Sequence, residues 1–340
     1  MNPEGRHSTF SMELATLQGS NVLDVETVED SMDLKPAEGR SGIDWTPIAH
    51  GARSTFAVVH LGPLRLLGAN LPPSLFEGTI REARYTVWLG MEDPHRSVVN
   101  GMPLPDAALV LGGPGSRCQS YWPIDAKPAQ AAAALFIPAE LRPAGWPDAA
   151  PLLTVHLVDP AGLQRLRQHL RATIRLASAQ PERFAADGDR RAMGAEVVAR
   201  VANLLATATV QTQAKPGFSR ACIEMLDQID RFIVKRLDRP ILLGDVADAL
   251  RVAPRTVHNI MKLTRGMTLQ TYVTIFRMRS ARRHLLRTED CDLVKQAALR
   301  HGFVHLGRFA QAYARFFGET PSTTLARRRV EGNKAENAGS

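Results

Sequence analysis

The chain has 340 residues and a formal net charge of +8, and its 44% hydrophobic and 22% charged residues are ordinary for globular proteins. This length predicts two domains, and the longest apolar run, AAAALFIPA over 131–139, is far shorter than the roughly 20 residues of a membrane-spanning helix. The N-terminal MNPEGRHSTF lacks the charged-then-apolar order of a secretion signal, so we expect a cytoplasmic protein without membrane contact.

Residues 1–40 are polar and acidic and predict a flexible arm. Beyond them, five short apolar or β-branched runs separated by Gly and Pro are typical of a β-sandwich or barrel. These runs are FAVVHL, LRLL, YTVWL, ALVL and ALFI. The sequence therefore predicts a β-rich N-terminal domain over 41–206.

Two helical patterns follow the β-rich runs, and each places its apolar residues on one face. The first comprises Leu163, Leu166, Leu170 and Ile174, and the second Val197, Val198, Val201, Leu204 and Leu205. Packing within the subunit and packing against a second copy in a homodimer both fit these faces, so the two interpretations stay open.

A polar, aperiodic stretch over 207–219 contains Pro216 and Gly217 and predicts a linker. The charge changes after it, because residues 219–330 hold 21 Lys and Arg against 10 Asp and Glu, a net of +11. A basic domain of this kind is typical of a surface that binds a polyanion, although basic faces also serve solubility. We expect residues 329–340 to form a disordered tail.

A helix-turn-helix pattern occurs twice within the basic domain, over 220–328. The inward-facing residues are Val246, Ala247, Leu250, Val257, Ile260 and Met261 in the first copy and Ala297, Ala298, Phe309, Tyr313, Phe316 and Phe317 in the second. Asn259 and Gln311 are 52 residues apart, whereas the first helices are offset by 51, so the second turn is one residue longer. Between the copies, TLQTYVTIFRMRSARRHLL with Thr268 as its cap predicts a connector helix.

These features carry a resemblance to a known family, and the residues that match it in order and spacing are Ala247, Gly266, Tyr272, Arg277, Ala281, Leu285, Ala298, Gly302, Phe303, Phe309, Phe317, Gly318 and Pro321. Over roughly 220–328 the chain resembles the AraC/XylS transcription regulators. The resemblance implies an α+β protein, with a β-rich, cupin-like barrel and following helices in the N-terminal domain. It also implies an all-α C-terminal domain of two helix-turn-helix units joined by a connector helix.

The same resemblance implies that two recognition helices enter successive major grooves of double-stranded DNA. The implied contacts are Arg255, His258, Asn259 and Lys262 on the first helix and Leu306, Gly307, Arg308 and Gln311 on the second. Their chemistry fits, because Arg pairs with guanine, Asn and Gln pair with adenine, and Leu306 suits a thymine methyl group. Lys262 would contact a phosphate, and Gly307 would let the backbone come close. A solvated helix face is the alternative for each position.

Three residues depart from the family pattern. Ala253 and Leu242 stand where capping residues are usual, and Arg251 stands where a left-handed Gly is usual. Each departure costs about 1 kcal/mol locally. We therefore expect the first helix-turn-helix unit to be the less stable one, ordered by DNA.

No catalytic, metal or cofactor site is expected. The histidines of the N-terminal domain, His50, His60, His95 and His156, have no ligand-like spacing. GGPGS over 112–116 lacks the features of a phosphate-binding loop and predicts a hairpin turn. Cys118, Cys222 and Cys291 are too scattered for a disulfide framework, and none stands in a nucleophile motif such as that of DNA alkylation repair.

Together these observations predict a sequence-specific transcription regulator, an activator rather than a repressor, with RNA polymerase and a small-molecule effector as further partners. The alternative is a DNA-anchored scaffold whose N-terminal domain binds a protein. The candidate contacts for an anionic or aromatic effector are Arg53, Arg65, Arg84 and Trp88, with their inward or outward orientation unassigned.

Overall fold

The computed structural model of the chain describes residues 10–28, 43–48, 54–80, 84–92, 96–123, 130–211, 217–287 and 293–328. The chain divides into two compact units, and the main division falls between Lys215 and Pro216. Unit 1, the N-terminal part, combines β-strands with helices, whereas the regular structure described in unit 2 is helical. The predicted α+β class is therefore confirmed.

Unit 1 is built around antiparallel strands. Those described are β1 (Leu23–Val28), β2 (Ile43–Pro47), β3 (Ser54–Leu61), β4 (Leu64–Leu71), β5 (Ser74–Thr79), β6 (Arg84–Gly90), β7 (Val98–Val99), β8 (Met102–Pro103), β9 (Ala108–Gly112), β10 (Arg117–Tyr121), β11 (Gln130–Pro138), β12 (Thr154–Leu157) and β13 (Thr209–Gln211). An eight-stranded sheet has the order β1-β3-β4-β11-β6-β9-β12-β13, and a five-stranded sheet has the order β2-β5-β10-β7-β8. Each of the five apolar runs singled out in the sequence lies in a strand of the larger sheet, and closure into a cupin-like barrel stays a prediction.

Helices cover one face of the larger sheet. They are α1 (Phe10–Leu14), α2 (Pro160–Ala179) and α3 (Asp187–Ala206), and their apolar faces join strand residues such as Leu66 and Leu135 in one buried cluster. All nine apolar residues predicted to line α2 and α3 are buried within unit 1. In this structure the apolar faces of α2 and α3 therefore pack within the subunit.

The predicted flexible arm over 1–40 differs from the structure in its described part. Phe10 and Leu14 of α1, together with Val22 and Leu23, are at most 3% exposed and belong to the main core. Strand β1 pairs with β3 along its full length. The polar composition concealed these few apolar residues, which are spaced to pack one helical turn and one strand onto the sheet.

Two further expectations are corrected by the strand pairing. The segment predicted as a linker, 207–219, begins with strand β13, which pairs with β12 at the edge of the larger sheet. GGPGS forms a turn, in which the N–H of Ser116 donates to the carbonyl of Gly113. It is not a hairpin, because β9 and β10 belong to different sheets.

Unit 2 is built from helices in its described part. They are α4 (Arg220–Val234), α5 (Leu243–Leu250), α6 (Pro254–Arg265), α7 (Leu269–Arg287), α8 (Val294–Arg300) and α9 (Leu306–Phe317), with a further helical segment over 321–328. The predicted connector is α7, and the side chain of Thr268 accepts a hydrogen bond from the N–H of Thr271 at its start. Across the described residues of both units, no helix combines the length and apolarity needed to cross a membrane.

Candidate DNA-binding surface

Unit 2 contains both predicted helix-turn-helix units, α5 with α6 and α8 with α9. Each turn closes by the same hydrogen bond, since the N–H of Val252 donates to the carbonyl of Ala247 at 3.0 Å and that of Phe303 to Ala298 at 2.9 Å. Donors and acceptors are both 51 residues apart in the two copies. The turns are therefore equivalent as far as Phe303.

The eight predicted DNA-contacting residues all lie on exposed faces of α6 and α9. They are Arg255, His258, Asn259, Lys262, Leu306, Gly307, Arg308 and Gln311. Within the described part of the chain, none of their side chains has a hydrogen bond or ion pair. These two helix faces are thus available to an external partner.

The opposite face of each recognition helix is buried. Phe309, Tyr313, Phe316 and Phe317 are at most 7% exposed and stack in sequence, with ring centroids of Tyr313 and Phe317 4.5 Å apart. In the first copy Val257, Ile260 and Met261 are buried in the same way. Burial of one face holds the other face outward, as the 3.6-residue periodicity requires.

A buried ion pair holds the end of α6. Nη2 of Arg265 lies 2.8 Å from Oδ2 of Asp230 on α4, and the arginine side chain is fully buried. The guanidinium also lies 5.1 Å from the ring centroid of Tyr272 on α7. Three helices therefore meet at one arginine.

A second buried arginine holds the end of α9. Nη1 of Arg282 on α7 lies 2.8 Å from Oε1 of Glu319, and its guanidinium lies 4.7 Å from the ring centroid of Phe317. Thr324 donates to the same carboxylate at 2.7 Å and also pairs with the hydroxyl of Tyr313. Burial raises the pKa of Tyr313 to about 12, so this hydroxyl stays protonated at neutral pH.

Neither buried arginine was predicted from the sequence. Arg265 follows Met261 by four residues and so stands on the apolar stripe of α6. A charged residue at such a position was the only available signal, and its carboxylate partner is 35 residues away.

The second turn requires a glycine at Gly302. Its φ is +77°, and a Cβ there would lie 2.5 Å from the carbonyl oxygen of Leu237 and 3.0 Å from Cζ of Arg277. Arg277 donates to the carbonyl of Arg239, and burial lowers the pKa of Arg277. The backbone of the turn is thus packed directly against the connector.

The caps that depart from the family pattern have mixed outcomes. Arg251 adopts the left-handed conformation, with φ +55°, where a Gly was expected. Asp245 accepts from the N–H of Leu242 at 2.9 Å and supplies part of the missing cap of α5. Neither Ala253 before α6 nor His305 before α9 makes a side-chain cap. The absence of a side-chain cap is therefore common to both recognition helices, and the lower stability of the first unit stays a prediction.

A histidine pair lies between the connector and α8. The rings of His284 and His301 meet edge to face with centroids 5.5 Å apart. Burial, followed by the charges of His284, Arg300 and Arg283, lowers the pKa of His301 to about 4. His301 is therefore uncharged at neutral pH, and burial also lowers the pKa of His284.

No metal-binding cluster of His, Cys, Asp and Glu occurs within the described residues. His60 pairs with Asp24 at 2.8 Å, and His156 pairs with Thr154 at 2.8 Å. His50, His95 and Cys291 lie outside the described residues. Cys118 is buried, which raises its pKa to about 12 and keeps the thiol protonated.

The aromatic residues of unit 1 gather between its two sheets. Two groups of rings are in contact there. Phe76 lies 5.3 Å from Trp122 and 6.2 Å from Trp88, and Trp45 lies 5.3 Å from Phe56. Strand register aligns Leu67, Ala134 and Trp88 on one face of the larger sheet, and Arg65, Phe136 and Thr86 on that same face. Arg84 shares it by alternation, whereas Arg53 lies outside the described residues.

Comparisons with known proteins concentrate on unit 2. A helix-turn-helix domain family matches residues 246–327. The XylDLEGF operon transcriptional activator of Pseudomonas putida is 34% identical over 100 residues, which are 29% of this chain and 31% of that protein. The XylDLEGF operon transcriptional activator 2 of the same organism is 28% identical over 127 residues, which are 36% of this chain and 81% of that protein.

Among solved structures, a transcriptional regulator with an AraC-type DNA-binding domain from Chromobacterium violaceum is 23% identical. The matched region covers 32% of this chain and 96% of the chain of that regulator, with a TM-score of 0.30. The chain spans about a third of the length of the first curated relative, 31%.

The matched segment holds most of α5 and all of α6 to α9, the helices that carry the eight exposed residues. The relatives matched there are described as transcriptional activators. Over residues 246–327 the chain therefore has a helix-turn-helix domain that is similar to those of curated transcriptional activators.

Proposed function

We propose that this chain is a sequence-specific transcription activator that inserts α6 and α9 into two successive major grooves of double-stranded DNA. The observation that carries the proposal is the pair of exposed polar and basic helix faces, each without internal partners and each backed by a buried face. Because the inner faces are anchored by Arg265 and Arg282, the outer faces are held in a fixed relation. Reading bases in register needs that rigidity.

Charge supports the choice of DNA as the partner. The segment 219–330 carries a net charge of +11, and this count includes Arg255, Lys262 and Arg308 on the exposed faces of the recognition helices. Neutralising several phosphates releases counterions, so affinity must fall steeply with salt. A protein partner for these faces would not require that behaviour.

The proposed roles follow the hydrogen-bonding capacity of each side chain. Arg255 and Arg308 pair with guanine, Asn259 and Gln311 pair with adenine, and Lys262 contacts a phosphate. His258 and Leu306 contact base edges, and Gly307 admits the DNA close to the backbone. A Cβ on Gly307 would meet nothing within 4 Å, so the packing of the chain itself does not call for glycine there.

The finer part of the proposal concerns unit 1, which would sense a small-molecule effector. The aromatic cluster between the sheets, with Arg65 and Arg84 on the face that bears Trp88, supplies ring surfaces and positive charge for an aromatic or anionic compound. RNA polymerase and a second copy of the chain remain proposed partners. Since the apolar faces of α2 and α3 are buried within unit 1, a homodimer would need another surface.

Footprinting with the full-length chain tests the proposal. After selection of a binding site from random duplexes, hydroxyl-radical protection should show two clusters about 10 to 10.5 base pairs apart on one side of the DNA. Affinity should fall by about 10³ or more between roughly 50 and 200 mM salt. A single cluster, or sequence-independent protection, would reject the two-groove proposal.

A ligand screen tests the sensor role separately. Compounds that raise the melting temperature of unit 1 should change the tryptophan fluorescence, since all 4 tryptophans precede residue 147 and three of them stand in the aromatic cluster. Trp88→Phe should weaken that response. A library of aromatic acids that leaves both readouts unchanged would remove the effector part and leave the DNA-binding part intact.

A further inference from the structure

Val304 is the extra residue of the second turn. The hydrogen bond that closes each turn joins equivalent residues 51 positions apart, Val252 in the first turn and Phe303 in the second. The residues that precede the recognition helices, Ala253 and His305, are instead 52 positions apart. The insertion therefore falls between Phe303 and His305. Only Val304 stands there.

This inserted residue is apolar and faces outward. Val304 is 73% exposed, the highest value among the large hydrophobic residues of the described chain. Leu306, two residues further on, is 37% exposed and is the first residue of α9. In the first turn the corresponding stretch runs directly from the half-buried Val252 to Ala253, so that unit has no such side chain.

The residues around Val304 are basic, and their charge indicates which kind of partner this exposed side chain would contact. Arg300 at the end of α8 and Arg308 in the first turn of α9 are both exposed. An acidic polymer is the partner that fits such charges, and the apolar feature that DNA offers in its major groove is the 5-methyl group of thymine. Single exposed valines are common, so the position at the start of a recognition helix is what gives this one meaning.

We propose that Val304, with Leu306 beside it, contacts a thymine 5-methyl group and makes the half-site bound by α9 selective for thymine at that base pair. This inference rests on the proposed function and assigns a specificity to one end of the same surface. The half-site bound by α6 lacks the inserted residue and so lacks this methyl preference. The two half-sites therefore differ, and the protein has a defined direction on its DNA.

The test combines a side-chain change with removal of one methyl group from the DNA. A site selected by the full-length chain is synthesised with each thymine in turn replaced by deoxyuridine, which lacks only the 5-methyl group. Native protein should lose affinity about four-fold at one position in the half-site protected by α9, the loss expected for one buried methyl group. Val304→Ala should bind the unmodified site about four-fold more weakly and show no further loss with deoxyuridine at that position.

Val234→Ala provides the matched control. Val234 is 54% exposed at the end of α4, so its substitution removes the same atoms from an exposed valine of unit 2 that lies outside both turns. This variant should keep native affinity and the native response to deoxyuridine.

The outcomes separate the inference from the proposed function. Specific binding in which no thymine-to-deoxyuridine change distinguishes native protein from Val304→Ala would overturn the inference and leave the proposed function standing. Native DNA binding by Val304→Ala together with lost activation of transcription would also overturn it, since Val304 would then contact a protein. Failure of the native chain to select any site would overturn both.

Discussion

Arg282 and Glu319 form a 2.8 Å ion pair in which the arginine side chain has no exposed surface. Breaking a buried ion pair by removing one partner costs about 3–5 kcal/mol. Because Arg327 also lies 3.5 Å from Glu319 and keeps part of its charge paired, we expect Arg282→Ala to lower the free energy of unfolding of unit 2 by about 3 kcal/mol, the lower end of that range. Urea titration followed by far-ultraviolet circular dichroism measures it, while tryptophan fluorescence reports unit 1 alone and should not change.

The exposed Arg315 serves as the control for Arg282. Arg315→Ala removes the same charge from a solvated position on α9 and should shift the unfolding free energy by less than about 0.5 kcal/mol. Equal effects of the two substitutions would contradict the role given to the buried pair.

Gly302 and Arg251 stand at equivalent left-handed positions and should respond in opposite directions. Gly302→Ala should destabilise unit 2 by about 1–3 kcal/mol, because of the positive φ and the 2.5 Å approach to Leu237. Arg251→Gly should stabilise it by up to about 1 kcal/mol, since glycine removes the left-handed strain. Chemical denaturation compares the two, and a loss of stability in Arg251→Gly would show that its side chain contributes more than the backbone strain costs.

Phe309 belongs to the buried stripe that orients α9. Truncation to Ala should cost about 3–5 kcal/mol and should blur the footprint cluster of α9 before that of α6. Leu299→Ala, at a residue 44% exposed on α8, is the control and should leave both clusters sharp. Two intact clusters at full occupancy in Phe309→Ala would disprove the anchoring role of the aromatic stripe.

Arg308 and Lys262 should differ in how they affect sequence preference. Arg308→Ala should relax the base preference within one half-site at a cost of about 1–3 kcal/mol, because a bidentate contact to guanine is lost. Lys262→Ala should weaken binding to all sequences alike. Because one phosphate contact is lost, the slope of log affinity against log salt concentration should become shallower by about 1. Selection from random duplexes followed by sequencing distinguishes the two, and the reverse pattern would exchange their roles.

His301 should make the stability of unit 2 depend on pH. Its folded pKa of about 4 lies below the ordinary value of 6.5, so the unfolded chain binds the proton more tightly. The stability contributed by uncharged His301 is complete above about pH 6.5 and should decline as the pH falls toward 4. His301→Leu, which introduces the residue found at the equivalent position 250, should flatten this part of the profile, as measured by urea midpoints at each pH. If the pH dependence of stability is the same in His301→Leu as in the native protein, other titratable groups cause the loss of stability at low pH.

Residues with a regular spacing were predictable from the sequence, and isolated ones were not. The recognition helices were found because Val257, Ile260 and Met261 repeat at helical intervals, and so do Phe309, Tyr313 and Phe316. Arg265 and Arg282 were missed because a charge on a buried face contradicts that pattern until its partner is known. Phe10 and Leu14 were missed because two apolar residues in a polar stretch carry little weight without the sheet on which they pack.

Both recognition helices begin without a side-chain cap, at Ala253 and at His305. The first N–H groups of a helix have no acceptor within it, and a missing cap typically costs about 1 kcal/mol. Under the proposed function, phosphate oxygens can accept those hydrogen bonds, so the DNA completes the first turn of each helix. Amide hydrogen exchange at Arg255 and Arg308 should then be fast in the free protein and slow in the complex. Part of the binding free energy would come from ordering the first turns of the two helices.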